Sequence, residues 1–201
     1  MPKIDHFNLL GPLYDFIFRK KSGQTLLKLV DMEQGQKLLD VGGGTGRVTV
    51  LFEDISDALV VADSAIKMLI KAREKGLISV NSESEELPFQ RGLFDRIIMI
   101  DALHHVADQK QTLREMWRLL APGGKIVIEE PDINNIFVKL LALGEKLLLM
   151  RSNFLSANTI ASMAEKFDHS DVHTLRKKGI AWITISKGKR EQEKGKEHVR
   201  H

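Results

Sequence analysis

The chain has 201 residues, with 30 basic and 27 acidic side chains, 43% hydrophobic residues and no cysteine. This length and composition are typical of one globular domain with a sizeable core. The lack of cysteine excludes disulfides, thiolate metal ligands and a cysteine nucleophile. We therefore expect a protein of the reducing cytoplasm whose chemistry uses oxygen, nitrogen or a bound cofactor, and no metal.

The net charge of +3 is concentrated at the end of the chain. Residues 187–201 contain six Lys or Arg and three Glu, so residues 1–186 are neutral overall. A neutral body disfavours a nucleic-acid surface, and we predict a solvated, disordered tail over 187–201. A weak contact of this tail with nucleic acid or anionic lipid is the less favoured alternative.

Membrane insertion and secretion are not indicated. The first ten residues lack the basic, apolar and small-residue regions of a signal peptide. The longest apolar stretch, 136–150, contains three charged residues and is shorter than the ~20 residues that a spanning helix needs. We expect a soluble protein, with peripheral membrane contact left open.

Short β-type runs alternate with helical segments in the middle of the chain, which predicts βαβ units on a parallel sheet. The predicted strands are 37–41, 58–63, 77–83, 94–101 and 125–131, and the predicted helices are 45–55, 66–76 and 109–120. Ser64 is placed to cap the second helix and Gly76 to end it. The APGG turn at 121–124 stops the third helix.

The C-terminal third has a different character. It predicts a leucine-rich helix over 134–150, a helix over 157–167 and β segments near 171–178 and 180–186. Lys178-Gly179 supplies the turn of an antiparallel hairpin. The expected fold is α/β, with a mostly parallel sheet completed by this hairpin and helices on both faces.

A glycine loop follows the first predicted strand. The loop and the acid before it are Asp40, Gly42, Gly43, Gly44 and Gly46. Glycines at the start of a helix let a ligand approach the backbone N–H groups. A dinucleotide fingerprint would need a third small residue at position 47, where the chain has arginine. An acid next to the loop also repels phosphate and favours a cationic ligand such as a sulfonium or its amino group.

Asp63 ends the second predicted strand, 21 residues after Gly42. An acid at about this distance of ~20 residues reaches a ribose hydroxyl in nucleotide-binding folds. The alternative is that Asp63 only helps to cap the following helix. We favour ribose binding because the loop and the acid lie on consecutive strand ends.

The chain resembles the class I S-adenosylmethionine-dependent methyltransferases, especially the small-molecule group that includes ubiquinone/menaquinone-biosynthesis enzymes. The matching segments, in order, are LLDVGGGTGRV (38–48), VVADSA (60–65), SESEELPF (82–89), FDRIIMIDALHHV (94–106) and LLAPGGKIVIEEP (119–131). The resemblance covers about 37–131, with a weaker match at GPLYD (11–15). It implies a Rossmann-like, seven-stranded sheet in one domain over 1–186. That domain would comprise an N-terminal lid (1–25), a cofactor-binding core (37–131) and a variable, helical substrate-side region (132–170).

The resemblance also implies roles for individual residues. Asp40 and the loop glycines Gly42, Gly43, Gly44 and Gly46 would hold the methionine part of S-adenosylmethionine. Asp63, with Ser64 beside it, would contact the ribose. Glu83 and Ser84 stand where the family commonly has Asp-Ala at the adenine, and Tyr14 matches a residue that covers the cofactor.

Methyl transfer is an in-line displacement that leaves S-adenosylhomocysteine, and orientation and water exclusion can supply most of its acceleration. The resemblance places Asp101 at the methyl-transfer site. The alternative is that Asp101 only forms a hydrogen bond to the loop. His104 or His105 would serve as a base if the acceptor must lose a proton. The alternative is that one of them packs against the sheet.

The acceptor is expected to be a small, apolar molecule such as a quinone. The leucine-rich segment 134–149, together with apolar side chains among the first 18 residues, would form a lid over this acceptor. A buried or dimer-forming helix is the simpler alternative for that segment. A non-catalytic S-adenosylmethionine-binding or partner protein remains the main functional alternative, and a dinucleotide-dependent oxidoreductase is disfavoured by Arg47 and Asp40.

Overall fold

Seven strands form one mixed sheet in the computed structural model, which describes residues 23–133 and 153–189. The strands are β1 (Lys37–Val41), β2 (Ala58–Asp63), β3 (Ile78–Asn81), β4 (Phe94–Ile100), β5 (Leu120–Pro131), β6 (Ser170–Lys177) and β7 (Ile180–Lys187). Their spatial order is β3-β2-β1-β4-β5-β7-β6. Strands β1 to β5 pair in parallel, and β7 runs antiparallel to both β5 and β6. The expected fold class is confirmed.

The strand order reverses between β1 and β4. From β1 the chain moves outward through β2 to β3, and it then returns to place β4 on the other side of β1. The carboxyl ends of these parallel strands lie at one edge of the sheet. A crevice at such a reversal is the general ligand site of open α/β sheets, so this edge is the candidate ligand site.

Helices cover both faces of the sheet. They are α1 (residues 23–30), α2 (Ile66–Arg73), α3 (Gln109–Leu119) and α4 (Ala157–Ala164). Neighbouring residues of β4 point to opposite faces. Ile97 packs in the cluster that contains Leu113 of α3, whereas Ile98 packs in the cluster that contains Leu26 and Val30 of α1. The sheet is therefore buried on both sides, as its continuous apolar strands predict.

The predicted helix at 45–55 is wrong. Only Thr49–Phe52 is helical there, as a short 3₁₀ helix. Gly46 closes a tight turn by donating to the Gly43 carbonyl at 2.9 Å. The β-branched run Val48 to Val50 has low helix propensity, so nothing in the segment extends the helix further.

The predicted cap of the second helix is also wrong. Ala65 is the N-cap residue of α2, and it makes no side-chain capping bond. Its backbone N–H instead donates to Asp63 Oδ1 at 2.7 Å, while Ser64 lies exposed. Asp63 therefore does bond to the first residue of this helix end, as the alternative interpretation of Asp63 as a capping residue expected.

The APGG segment is not a separate turn before the fifth strand. Pairing of β4 with β5 begins at Phe94 and Leu120, and the register shifts before Arg96 pairs with Lys125. The segment is an irregular stretch within β5, in which Gly123 has a φ of +80°. The remaining predicted elements differ from the observed ones by at most three residues at either end.

The C-terminal hairpin is confirmed. Lys178 and Gly179 have φ values of 53° and 81°, the pair of positive values that a tight two-residue hairpin turn requires. Lys187, predicted to begin the tail, is the last residue of β7.

Several predictions lie outside the described residues. They concern Tyr14 and most of the N-terminal lid, the helix at 134–150, and the tail beyond residue 189. Within 23–133 and 153–189, no helix has the length and apolar character needed to cross a membrane.

Candidate functional site

The glycine loop connects β1 to the 3₁₀ helix at the carboxyl edge of the sheet. Gly42, Gly44 and Gly46 have positive φ values of 69°, 54° and 66°. A Cβ added at Gly43 would come within 2.6 Å of Asp40 Oδ2, and one at Gly42 within 2.8 Å of the Ala102 Cβ. The loop is therefore closely enclosed by the Asp40 carboxyl and by the segment that follows β4.

Asp40 lies beneath the loop with only 1% of its surface exposed. Thr49 Oγ1 donates to its Oδ2 at 2.7 Å. Among the described residues, Oδ1 is the buried side-chain polar atom that has no hydrogen-bond partner. Burial raises the pKa of this carboxyl to about 7, opposed by the Thr49 hydrogen bond. A buried acceptor without a donor is costly unless a ligand supplies one.

Asp63 joins the end of β2 to the glycine loop. Its Oδ2 accepts the backbone N–H of Gly44 at 2.9 Å, and its Oδ1 accepts that of Ala65 at 2.7 Å. Each carboxylate oxygen keeps a further lone pair for a ligand hydroxyl. The structure thus brings Asp63 and the loop together, as their strand-end positions predict.

Glu83 and Ser84 follow β3 and differ in their surroundings. Glu83 is exposed. Ser84 Oγ lies 3.0 Å from Glu85 Oε2 and 3.1 Å from Thr112 Oγ1. Glu85 Oε1 accepts the backbone N–H groups of Ala107 and Asp108. Ser84 is therefore fixed to α3, whereas Glu83 has a solvent-facing side chain.

Asp101 follows β4 in a left-handed conformation, with a φ of 55°. Its backbone N–H donates to the Glu129 carbonyl at 2.8 Å. Burial raises the pKa of the carboxyl to about 7, opposed by the charge of His104 and supported by those of Glu130 and Glu129. Asp101 therefore lies between the glycine loop and the end of β5, and its pKa is near neutral pH.

The two histidines of the loop have different environments. His104 is 4% exposed, and its Nδ1 lies 2.6 Å from Glu130 Oε2. Its ring stacks on Phe154 with a centroid distance of 4.3 Å. His105 is exposed as a residue, but its ring lies 4.0 Å from the His104 ring. Partial desolvation of the ring, together with the charge of His104, lowers the pKa of His105 to about 4. His104 thus makes the packing contacts that the alternative interpretation anticipated for one of the pair.

Sequence reasoning missed four residues of this region. They are Thr49, Glu85, Glu130 and Phe154. Glu130 could have been found, because an acid at the end of a buried parallel strand lies at the same sheet edge as those after β1, β2 and β4. The other three had no local signal, since their roles depend on partners distant along the chain.

These residues fit S-adenosylmethionine. Asp40 Oδ1, which has no hydrogen-bond partner, is an acceptor suited to an ammonium group. The glycines of the turn carry no side chains that would cover this oxygen. Asp63 offers carboxylate oxygens next to that turn. Lys75 donates to the Thr45 carbonyl of the loop at 2.8 Å. The carboxyls of Asp40 and Asp63 beside the glycine turn suit a cationic ligand better than a pyrophosphate.

The chain is similar to known methyltransferases in sequence. Residues 39–128 match the family described as Methyltransferase domain. The ubiquinone/menaquinone biosynthesis C-methyltransferase UbiE of Cronobacter sakazakii is 32% identical over 135 residues, which cover 62% of this chain and 54% of that relative. The chain therefore spans about half the length of this curated relative.

Solved structures share the fold. The YcgJ protein from Bacillus subtilis has a TM-score of 0.72 at 16% identity, covering 84% of this chain and 98% of its own. An S-adenosylmethionine-dependent methyltransferase from Thermotoga maritima has a TM-score of 0.72 at 18% identity, covering 90% and 97%. These structural matches confirm the expected fold. In sequence, residues 39–128 match the methyltransferase domain family, as the motifs in that range predict.

Proposed function

We propose that this protein is an S-adenosylmethionine-dependent methyltransferase acting on a small, apolar acceptor. The observation that carries the proposal is the Asp40 carboxyl, which is buried beneath the glycine loop with one oxygen unpartnered. The cofactor supplies an electrophilic methyl group on a sulfonium. The chain's contribution is to bind, orient and desolvate the reactants.

The cofactor side consists of the ends of β1, β2 and β3. Asp40 would accept from the amino group of the methionine part, and Gly42, Gly43, Gly44 and Gly46 would form the backbone turn around it. Asp63 would accept from the ribose hydroxyls, with Ser64 beside it. Glu83 and Ser84 would border the adenine. Tyr14 lies outside the described residues, and its role over the cofactor stays a prediction.

The acceptor side consists of the loop after β4. Asp101 is the group best suited to take a proton from the acceptor, because its pKa of about 7 matches neutral conditions. His105, with a pKa of about 4, is a neutral ring at that pH and a weak base. His104 contacts Glu130 at 2.6 Å, so it orients the loop while Asp101 or His105 meets the acceptor.

The acceptor that we favour is quinone-like. The support is the similarity to a ubiquinone/menaquinone biosynthesis C-methyltransferase, at 32% identity over 62% of this chain. We extend the proposal to methylation at carbon, on the same similarity, and to a cytoplasmic location. The acceptor is a free small molecule, with no role for nucleic acid.

Calorimetric titration with S-adenosylmethionine, S-adenosylhomocysteine and NAD tests the cofactor. We expect the first two to bind and NAD not to. Asp63→Ala should weaken binding by about 1–3 kcal/mol because it leaves ligand hydroxyls unpaired, which is roughly 5- to 150-fold in Kd. Asp57→Ala is the matched control, since Asp57 is exposed at the opposite end of β2. NAD binding alone would contradict the proposal.

A screen of quinols and phenols with labelled S-adenosylmethionine then tests catalysis. Transfer of label to a quinol supports the apolar acceptor. Tight cofactor binding without transfer to any acceptor would favour the alternative, a non-catalytic S-adenosylmethionine-binding or partner protein.

A further inference from the structure

Glu130 is a buried carboxyl at the end of β5, 4% exposed. Its Oε1 accepts the backbone N–H groups of Ala102 at 3.1 Å and Leu103 at 2.8 Å, and its Oε2 lies 2.6 Å from His104 Nδ1. Because a carboxylate only accepts hydrogen bonds, Nδ1 carries the hydrogen in this contact. One side chain thus holds three consecutive residues of the loop after β4.

The loop held by Glu130 begins with a backbone conformation that needs support. Asp101 has a φ of 55°, in the left-handed region that residues other than glycine rarely adopt. Such conformations persist only where surrounding contacts determine them. The Asp101 N–H is bonded to the Glu129 carbonyl, and the next two N–H groups are bonded to Glu130. Two oxygen atoms at the end of β5 therefore accept all three N–H groups.

The same loop touches the glycine loop. A Cβ added at Gly42 would lie 2.8 Å from the Ala102 Cβ, so Ala102 closes directly over that glycine. The charge of Arg47 acts on the carboxyls of both Asp40 and Asp101. A shift of Ala102 would therefore change both the surface that contacts the glycine loop and the orientation of the Asp101 side chain.

His104 extends this support to the neighbouring rings. Its imidazole stacks on Phe154 at 4.3 Å and contacts the His105 ring at 4.0 Å. Its carbonyl accepts the Asn153 N–H at 2.8 Å. Because Glu130 Oε2 fixes the His104 ring, it also constrains where the exposed His105 ring lies.

We propose that Glu130 is a positioning residue of this site, which holds residues 101–105 so that Asp101 lies beside the glycine loop. Its influence passes through the N–H groups of Ala102 and Leu103 and through the His104 ring. The consequence for methyl transfer rests on the proposed function. The hold itself is a property of the protein without ligand, so it can be tested separately.

Two variants separate the contacts of Glu130. Glu130→Ala removes all three. Glu130→Gln keeps an acceptor oxygen for the two backbone N–H groups but places an N–H donor against His104 Nδ1. Glu115→Gln is the matched control, because Glu115 is also a buried glutamate with a 2.6 Å partner, Arg118, and both of these residues lie on α3 rather than in the loop after β4.

Amide hydrogen exchange is the first measurement. In Glu130→Ala we expect exchange at Ala102 and Leu103 to be at least about tenfold faster, with Glu130→Gln within about threefold of wild type. Glu115→Gln should leave both amides unchanged. Unchanged exchange at these amides in Glu130→Ala would overturn the proposal.

Nitrogen-15 spectra of the histidine rings keep the test decisive if Glu130→Ala does not fold. Wild type should show a hydrogen on His104 Nδ1. In Glu130→Gln we expect Nδ1 to carry no hydrogen, so that it can accept from the new amide while Nε2 carries one. Glu115→Gln should give the wild-type spectrum. An identical His104 spectrum in wild type and Glu130→Gln would also overturn the proposal.

The link to the site is tested with S-adenosylmethionine labelled at its methyl carbon. We expect the bound methyl resonance to shift in Glu130→Ala, to lie near its wild-type position in Glu130→Gln, and to be unaffected by Glu115→Gln. An unshifted resonance in Glu130→Ala would contradict the link. Failure of wild type to bind the cofactor would contradict the proposed function, while the exchange and ring spectra would still decide the role of Glu130.

Discussion

Asp40 shows how a single residue of this site opposes stability. Its pKa is raised from 3.8 to about 7, mainly by burial. Between these two pH values the folded protein keeps a proton that the unfolded chain has released. The contribution of Asp40 to the free energy of unfolding therefore falls as pH rises from about 4 to 7, and it stays low above pH 7.

Asp40→Asn should consequently stabilise the protein while impairing its site. A shift of about three pKa units corresponds to about 4 kcal/mol, and we expect the amide to recover at least about 1 kcal/mol of it at pH 8. Urea unfolding at pH 8 and pH 5 measures this gain, which should shrink at the lower pH. Calorimetry should show S-adenosylmethionine binding at least about tenfold weaker, because a carboxylate pairs with an ammonium far better than an amide does. Equal stability of both proteins at pH 8 would argue against a buried, ionised Asp40.

At the scale of elements, Arg96 joins the helix α1 to the strand β4. Arg96 is 6% exposed, and its guanidinium donates to the Val30 carbonyl at 2.7 Å and to the Asp31 carbonyl at 2.7 Å. A third bond goes to the Asp95 carbonyl. The last carbonyls of a helix lack partners within it, so this cation ends α1 and fixes it to the sheet.

Arg96→Met should lower the free energy of unfolding by about 2 kcal/mol, because it leaves the buried Val30 carbonyl and the partly buried Asp31 carbonyl without this donor. Arg114→Met is the control, since Arg114 lies exposed on α3 and should change stability by no more than about 0.5 kcal/mol. Urea denaturation of both variants gives the comparison. Equal losses would show that Arg96 acts only through its aliphatic stem.

At the scale of the whole molecule, the end of the last strand, β7, is bonded to the helical layer. Lys187, the last residue of β7, donates to the carbonyls of Trp117 at 2.8 Å and Leu120 at 2.9 Å. Its ammonium also lies 4.6 Å from the centre of the Trp117 ring. The final strand is thereby tied to the end of α3 as well as to its neighbours in the sheet.

Two truncations test this closure. Removal of residues 190–201, which we predict to form a solvated tail, should leave the melting temperature within about 1 °C, because such a tail contributes little to stability. Removal of 187–201 should lower it by about 3 °C or more, because roughly 1 kcal/mol is 2–4 °C for a chain of this size. Differential scanning calorimetry measures both. Similar melting temperatures for the two truncated proteins would contradict the role of Lys187.

Elements with a strong local pattern could be predicted from the amino-acid order alone. The strands β1 and β2, the hairpin turn at Lys178-Gly179 and the helix α3 need only periodicity, β-branched residues and turn chemistry. The sites after β1, β2 and β4 could be predicted for the same reason, since each is a polar residue at the end of an apolar strand.

Partnerships between distant residues were decided by the folded chain. Glu130 lies 26 positions after His104, and Arg96 lies 66 positions after Val30; the intervening sequence contains no pattern that pairs these residues. Strand order brings His104 and Glu130 together, because parallel strands gather their carboxyl ends at one edge. Packing of α1 on the sheet brings Val30 to Arg96. Desolvation of Asp40 likewise depends on neighbours from several elements. Periodicity is a local property of a sequence, whereas burial, hydrogen-bond pairing and proton affinity arise only when remote segments exclude water from the same place.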